Sequence, residues 1–133
     1  MISFIIPCYN EEKHIKACIR SIRKYMWYIP YEIIVVDTGS TDRTVEILEA
    51  NGAKVAHIYI NPWRFDDARN AALALIPRDY DVCVSLDLDE ELQPGWREEI
   101  ERVWIKGETT RLRYMFDWGA GINFYYEKIH ARH

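Results

Sequence analysis

The stretch IIVVDTGSTD, residues 33–42, decides the fold that this sequence predicts. Its first four residues are all β-branched, which is typical of a strand covered on both faces, as in a parallel sheet. Asp37 ends the apolar run, Gly39 permits a turn, and Ser40 and Thr41 are favoured capping residues for a helix that follows. The stretch therefore predicts a buried strand that leads through a short loop into a helix.

The same pattern recurs along the chain. Apolar runs at 3–6, 55–60 and 82–86 predict three more strands. Helices are predicted after each strand, with buried faces that include Ile15, Ile19 and Ile22 in the first and Trp96 and Ile100 in the last. The alanine-rich segment 66–76 predicts the third helix, and 109–116 with 123–129 predicts a hairpin. This order predicts an α/β fold with an open, mainly parallel sheet and helices on both faces.

Composition limits the possible partners. The chain has 133 residues, 49% of them hydrophobic and 29% charged, and it carries a net charge of −4. These values predict a single domain over 1–133 and argue against a nucleic acid polymer as partner, so a mononucleotide is favoured. Cys8, Cys18 and Cys83 lack metal-binding spacing and are expected to be reduced core residues. Since no signal peptide or membrane helix is evident, we expect a cytoplasmic location.

Polar residues follow three of the predicted strands, at 9–11, 37–42 and 87–91. Open parallel sheets bind ligands beyond the carboxyl ends of their strands, so these three segments should meet at one edge. The loop at 38–42 offers either amides for an anion at a helix N-terminus or simply a well-capped turn.

The acidic segment VSLDLDEEL, residues 84–92, has two interpretations. In one, a cation such as Mg²⁺ or Mn²⁺ removes the repulsion between Asp87 and Asp89 and joins them to a diphosphate. In the other, the segment is a solvated loop. Arg69 in the third helix likewise meets either a base or phosphate, or pairs with Asp66 at the surface.

Four segments together resemble the family 2 glycosyltransferases, which have the GT-A fold and use nucleotide diphosphate sugars. They are IIPCYNEE at 5–12, IIVVDTGSTDRTVEIL at 33–48, FDDARNAAL at 65–73 and LDLDEEL at 86–92. The resemblance covers residues 2 to about 105 and implies a Rossmann-like GT-A domain, truncated after its donor-binding half. Any membrane association would then be peripheral, through parts that this sequence does not include.

The resemblance also implies site roles. Asp87 would lie near the ribose and Asp89 would bind the metal, Mg²⁺ or Mn²⁺. The remaining donor-binding positions would be Pro7, Tyr9, Glu11, Asp37, Thr38, Gly39 and Arg69. The family often has a second aspartate where this chain has Thr38, which affects base recognition; uridine is the expected base.

The general base has no evident counterpart. In inverting members of the family it follows the segment at which this sequence ends. Glu127 and His130 come late enough to be considered, and an edge strand is expected at their position. Glu90 and Glu91 are no better placed as bases.

Three functions therefore remain. The first is metal-dependent transfer of a sugar from a UDP-sugar to a hydroxyl of a glycan, lipid or protein, with inversion. The second is a nucleotide-sugar-binding module without catalysis. The third, a phosphohydrolase with Asp87 as nucleophile, lacks an accompanying lysine or threonine motif.

Overall fold

The computed structural model describes residues 2–26, 30–60, 62, 64–77 and 80–131. Within these residues the chain alternates strands and helices up to a C-terminal hairpin. The strands are β1 Ile2–Cys8, β2 Tyr31–Asp37, β3 Lys54–His57, β4 Val82–Ser85, β5 Arg111–Gly119 and β6 Ile122–Ala131. The helices are α1 Ile15–Met26, α2 Thr44–Ala50, α3 Phe65–Ala74 and α4 Trp96–Val103.

The described strands form one sheet of six, in the order β3-β2-β1-β4-β6-β5. The pairs β1–β2, β2–β3 and β1–β4 are parallel, whereas β6 is antiparallel to both β4 and β5. The predicted α/β fold with a mainly parallel sheet is confirmed, and so is the predicted hairpin. The prediction that Glu127 and His130 lie on an edge strand is wrong for His130, which pairs with Cys83 of β4 and Arg111 of β5, whereas the pairing with β4 does not extend to Glu127.

Alternate residues of the central strands pack against different helices, as the two-residue period of a strand requires. Phe4, Ile6 and Val35 share a core with α1, Leu48 of α2 and Ile100 of α4. Ile5, Ile34, Val36 and Cys83 pack instead against Ala72 and Ile76, at and just beyond α3. Helices therefore cover both faces of the sheet, as expected. All three cysteines are buried and free, which agrees with the expectation of reduced core residues.

The third strand is shorter than the apolar run at 55–60 predicts. It ends at His57, because the last residue of β2, Asp37, is its pairing partner. The Ile58 amide donates to the Asp37 carbonyl at 3.0 Å, and β2 does not extend further to pair with Tyr59 or Ile60. The boundaries of the third helix and fourth strand differ from prediction by only one or two residues.

Candidate functional site

The loops after β1 and β2 are joined through the side chain of Asn10. Its Oδ1 accepts from the backbone amides of Thr41 at 2.7 Å and Asp42 at 3.3 Å, and the backbone amide of Asn10 donates to Ser40 Oγ at 2.9 Å. Asn10 has φ 49°, a left-handed conformation that asparagine tolerates better than most residues. The two loops thus form one connected surface at the carboxyl edge, by which we mean the ends of β1, β2 and β4 with the loops after them.

Asp37 lies at the centre of this surface and is 2% exposed. Its carboxylate accepts from the amides of Gly39 at 3.2 Å and Ser40 at 3.2 Å, and it contacts His57 Nδ1 at 3.3 Å. Burial would raise the pKa of Asp37, but the hydrogen bonds from Ser40 and Gly39 outweigh it and hold the pKa below its ordinary value. His57 lies in the apolar run 55–60 that predicts the third strand, and that local pattern gives no sign of this contact.

The amides of residues 39–42 donate within the protein. Those of Gly39 and Ser40 donate to Asp37, and those of Thr41 and Asp42 donate to Asn10. Side chains of the protein therefore already satisfy these amides, which argues against the interpretation as an anion site. The predicted caps Ser40 and Thr41 do not cap α2 either: its N-cap position is Arg43, whose side chain makes no capping hydrogen bond, and Asp42 Oδ1 accepts from the Thr44 amide at 2.9 Å.

The remaining predicted positions of the first two loops lie beside this network. Thr38 turns inward, and both its amide and its hydroxyl donate to the Cys8 carbonyl, at 3.1 and 2.9 Å. Gly39 has φ 109°, and a Cβ built on it would meet nothing within 4 Å. Tyr9 is 55% exposed and Pro7 is half-buried. These residues therefore border open space at the carboxyl edge.

The loop after β4 is held by two cations from other elements. Arg69 of α3 donates to Asp87 Oδ1 at 3.1 Å, and Lys128 of β6 donates to Asp87 Oδ2 at 3.2 Å. Lys128 also donates to Glu90 Oε1 at 2.5 Å, and that same oxygen accepts from the Asp87 amide at 2.8 Å. Burial raises the pKa of Glu90, although Lys128 opposes this effect. We call Arg69, Asp87, Glu90 and Lys128 the charged cluster.

The charged cluster rules out one of the two interpretations of Arg69, the surface pair with Asp66. The partner of Arg69 is Asp87 rather than Asp66, which instead accepts from Arg64 at 2.9 Å. Lys128 escaped sequence reasoning altogether. Only the pairing of β6 beside β4 brings it to the acidic loop, and no local pattern in its own segment indicates that pairing.

Unlike Asp87 and Glu90, Asp89 is exposed and its carboxylate has no hydrogen bond or ion pair with any residue that the structure describes. It lies near Glu11 of the first loop. Burial, followed by the negative charges of Asp89 and Asp87, raises the pKa of Glu11. Segments after β1 and β4 thus bring like charges together at the carboxyl edge, as expected.

The candidate bases are engaged elsewhere. Glu127 accepts from Arg111 at 3.1 Å and from Arg113 at 3.0 Å, and these hydrogen bonds lower its pKa. His130 Nδ1 lies 2.9 Å from the carbonyl of Ala131. A carboxylate with a lowered pKa between two arginines is poorly suited to removing a proton.

The family model for glycosyl transferase family 2 matches residues 3–117. The chain belongs to this family. An uncharacterized glycosyltransferase of Rickettsia bellii is 36% identical over 111 residues, which are 83% of this chain and 35% of the relative. The lipopolysaccharide core biosynthesis glycosyltransferase LpsC of Rhizobium meliloti is 33% identical over 73% of this chain and 34% of its own. This family 2 chain therefore spans about a third of the length of the relatives that it matches.

Solved structures show the same fold. TarS 1–349 of S. aureus in complex with UDP-GlcNAc superposes with a TM-score of 0.65 at 28% identity, covering 76% of this chain and 30% of TarS 1–349. The glucosyl-3-phosphoglycerate synthase of Mycobacterium tuberculosis, in complex with Mn²⁺, UDP and glucosyl-3-phosphoglycerate, has a TM-score of 0.57 at 30% identity. That match covers 68% of this chain and 35% of the synthase. The fold of this family 2 member is thus GT-A, as the sequence motifs imply.

The acidic loop fits a cation that arrives with a phosphate ligand better than a cation held by protein alone. Among the described residues, no group of three or more His, Cys, Asp or Glu side chains is arranged to hold a metal ion. Mg²⁺ and similar ions are commonly held by one or two carboxylates together with substrate phosphates and water. The free carboxylate of Asp89 suits that arrangement, because Asp87 and Glu90 are already paired.

No helix among the described residues has the length and hydropathy to cross a membrane.

Proposed function

We propose that this family 2 chain is the donor-binding part of a glycosyltransferase that transfers a sugar from a UDP-sugar to a hydroxyl acceptor, with inversion and with a divalent metal. One observation supports it most: Asp89 is an unpaired carboxylate at the carboxyl edge, beside Asp87 and Glu90, which are both held in ion pairs. Solved relatives with this fold contain UDP-GlcNAc, or UDP with Mn²⁺. The activity of the whole protein follows from these likenesses only as a proposal.

Each element of the carboxyl edge has a role in this proposal. The base and ribose would lie against the loop centred on Asp37, with Thr38, Gly39, Pro7, Tyr9 and Glu11 bordering them. Arg69 would approach the base or phosphates, and Asp87 the ribose. Asp89 would hold Mg²⁺ or Mn²⁺, which would offset the charge on the departing diphosphate.

The chain's own residues supply binding and orientation rather than an evident proton acceptor. The loop network around Asn10 and Asp37 rests on hydrogen bonds within the protein, so little ordering entropy would be lost when a nucleotide binds. The acceptor, a glycan, lipid or protein, stays undefined, and the base stays unknown. The enzyme would act in the cytoplasm, where buried thiols such as those here remain reduced. Any membrane association would be peripheral.

The test of metal dependence is a calorimetric titration of UDP with and without Mn²⁺. For the wild-type protein we expect Mn²⁺ to tighten UDP binding, and for Asp89→Asn we expect this gain to fall by at least about tenfold. Glu91→Gln is the matched control, because Glu91 is an exposed carboxylate of the same loop and should retain the gain. Equal metal-dependent gains in Asp89→Asn and the wild type would refute the metal assignment.

The engagement of Glu127 with Arg111 and Arg113 favours a second candidate, a nucleotide-sugar-binding module without catalysis. The two functions differ in turnover. Slow release of UDP from a UDP-sugar, with water as acceptor, would identify an enzyme. Tight binding of the same UDP-sugar without any UDP release, over hours and with varied acceptors, would identify the module.

A further inference from the structure

Lys128 is a buried lysine at the carboxyl edge. Its side chain is 6% exposed, and lysine is rarely buried unless it is paired. The ammonium lies 4.8 Å from the centre of the Tyr126 ring and 5.9 Å from that of Phe116, so aromatic faces line one side of it. On the other side it meets two carboxylates, Asp87 and Glu90.

An irregularity in the hairpin turns Lys128 toward these carboxylates. Between the Leu112–Ile129 and Tyr114–Tyr126 pairs, β6 has two residues where β5 has one. Such a bulge re-aims side chains, because the extra residue breaks the alternation between faces. Lys128 and Ile129 are accordingly both buried although they are neighbours in a strand. The position of the ammonium is therefore built into the pairing of β6.

The ammonium stands where two carboxylate oxygens from one turn converge. Lys128 Nζ is 3.2 Å from Asp87 Oδ2 and 2.5 Å from Glu90 Oε1, and the other oxygen of Asp87 is held by Arg69 at 3.1 Å. Convergent carboxylate oxygens are the ligands that hard divalent cations prefer. With Lys128 in place, two cations match two carboxylates in the charged cluster, and the space between the oxygens is filled.

We propose that Lys128 is a resident counter-ion that occupies the cation position between Asp87 and Glu90, and so makes divalent-cation binding depend on the nucleotide. With these two carboxylates paired, Asp89, which lies between them in the sequence, is an unpaired carboxylate left to hold a metal, and one carboxylate binds a metal weakly without phosphate ligands. Lys128 thus acts through Asp87 and Glu90, as a positioning residue. The nucleotide half of this inference rests on the proposed function, whereas the counter-ion half does not.

The test measures Mn²⁺ binding without nucleotide, from the electron paramagnetic resonance signal of free Mn²⁺. In Lys128→Met the side chain keeps its length and its packing on Tyr126, but the two oxygens lose their cation. We expect Lys128→Met to bind Mn²⁺ alone at least about tenfold more tightly than the wild type does. Lys106→Met is the matched control, since Lys106 is an exposed lysine that pairs with Asp81 at 3.0 Å, and its affinity for Mn²⁺ should equal that of the wild type.

The double variant Lys128→Met/Glu90→Gln removes one of the two converging carboxylates and should therefore lose the tighter Mn²⁺ binding expected of Lys128→Met. The counter-ion role is overturned if folded Lys128→Met binds Mn²⁺ no better than the wild type, or if the double variant keeps the gain. If Lys128→Met does not fold in metal-free buffer, its circular dichroism is followed as Mn²⁺ is added. Recovery of the folded spectrum supports the role, and no recovery overturns it.

The same titrations separate this inference from the proposed function. Adding UDP to the wild-type protein tests the function, because UDP should then strengthen Mn²⁺ binding. A gain in Lys128→Met without any UDP effect in the wild type would leave the counter-ion role standing and remove the nucleotide assignment. If UDP strengthens Mn²⁺ binding by the wild type but Lys128→Met binds Mn²⁺ no more tightly than the wild type, the nucleotide assignment stands and the counter-ion role is overturned.

Discussion

At the scale of single residues, the carboxyl edge buries a carboxylate by giving it hydrogen-bond donors. Asp37 is nearly inaccessible, yet two amides donate to its carboxylate and His57 contacts it. A buried carboxylate is tolerated only when hydrogen bonds replace the water it has lost. The lowered pKa of Asp37 is the direct sign that these donors outweigh burial.

Replacing Asp37 by asparagine should therefore destabilise the fold. Asparagine keeps the size of the side chain but substitutes an NH₂ group for one acceptor, which leaves the Gly39 and Ser40 amides competing for one oxygen. We expect the free energy of unfolding at pH 7 to fall by about 1–3 kcal/mol, measured by urea denaturation. Asp66→Asn is the control, because Asp66 forms only an exposed pair with Arg64 and should change stability by less than about 1 kcal/mol.

The pH dependence of the Asp37→Asn effect has a definite sign. A carboxyl group whose pKa is lower in the folded state stabilises the fold above its unfolded pKa, and this contribution disappears as the pH falls through the folded value. The difference in unfolding free energy between wild type and Asp37→Asn should thus shrink as the pH falls below the ordinary value of 3.8. A difference that stays constant down to acid unfolding would show that the charge of Asp37 contributes nothing.

At the scale of elements, the loops after β1 and β2 behave as one unit because Asn10 joins them. Its side chain satisfies two amides of the second loop, while its backbone takes a left-handed conformation. That conformation costs most L-residues about 1–2 kcal/mol, whereas glycine adopts it freely.

Two substitutions at Asn10 separate these contributions. Asn10→Gly removes the side-chain hydrogen bonds but permits the backbone, and should lower the unfolding free energy by about 1–2 kcal/mol. Asn10→Ala removes the same bonds and adds backbone strain, so it should be the less stable of the two by up to about 1 kcal/mol. Denaturant titration of the three proteins measures both differences. Wild-type stability in Asn10→Gly would mean that the other contacts between the loops, such as the bond from the Glu11 amide to Thr44 Oγ1 at 2.9 Å, are enough to hold them together.

The sequence was sufficient for those elements whose signals are local. Continuous apolar runs at 33–36 and 82–86 marked central strands, and the polar residues after them marked the carboxyl edge. Features that depend on a distant partner were missed. Strand β3 stops where β2 ends its pairing, the amides at 39–42 are taken by Asp37 and Asn10, and Lys128 reaches Asp87 only because β6 returns beside β4.

At the scale of the whole molecule, the hairpin has two unlike parts. The inner end of β6 pairs with β4 through residues 129–131 and contributes Ile129, 1% exposed, to the main core. In the outer part of the hairpin, β6 pairs with β5, and the exposed side chains include Met115 of β5 and Ile122 and Tyr125 of β6. Only the inner part is tied to the central sheet, and it also carries Lys128 into the charged cluster.

Matched truncations of two isoleucines in β6 test this division. Ile129→Ala opens a cavity between β4, β5 and the core, and should lower the unfolding free energy by about 2–5 kcal/mol. Ile122→Ala changes the same residue type in the same strand at a site 54% exposed, and should cost less than about 1 kcal/mol. Equilibrium denaturation gives both values, and hydrogen exchange should show residues 128–131 losing protection in Ile129→Ala alone. A large loss from Ile122→Ala would contradict the division, since it would mean that the outer hairpin is packed against another surface in solution.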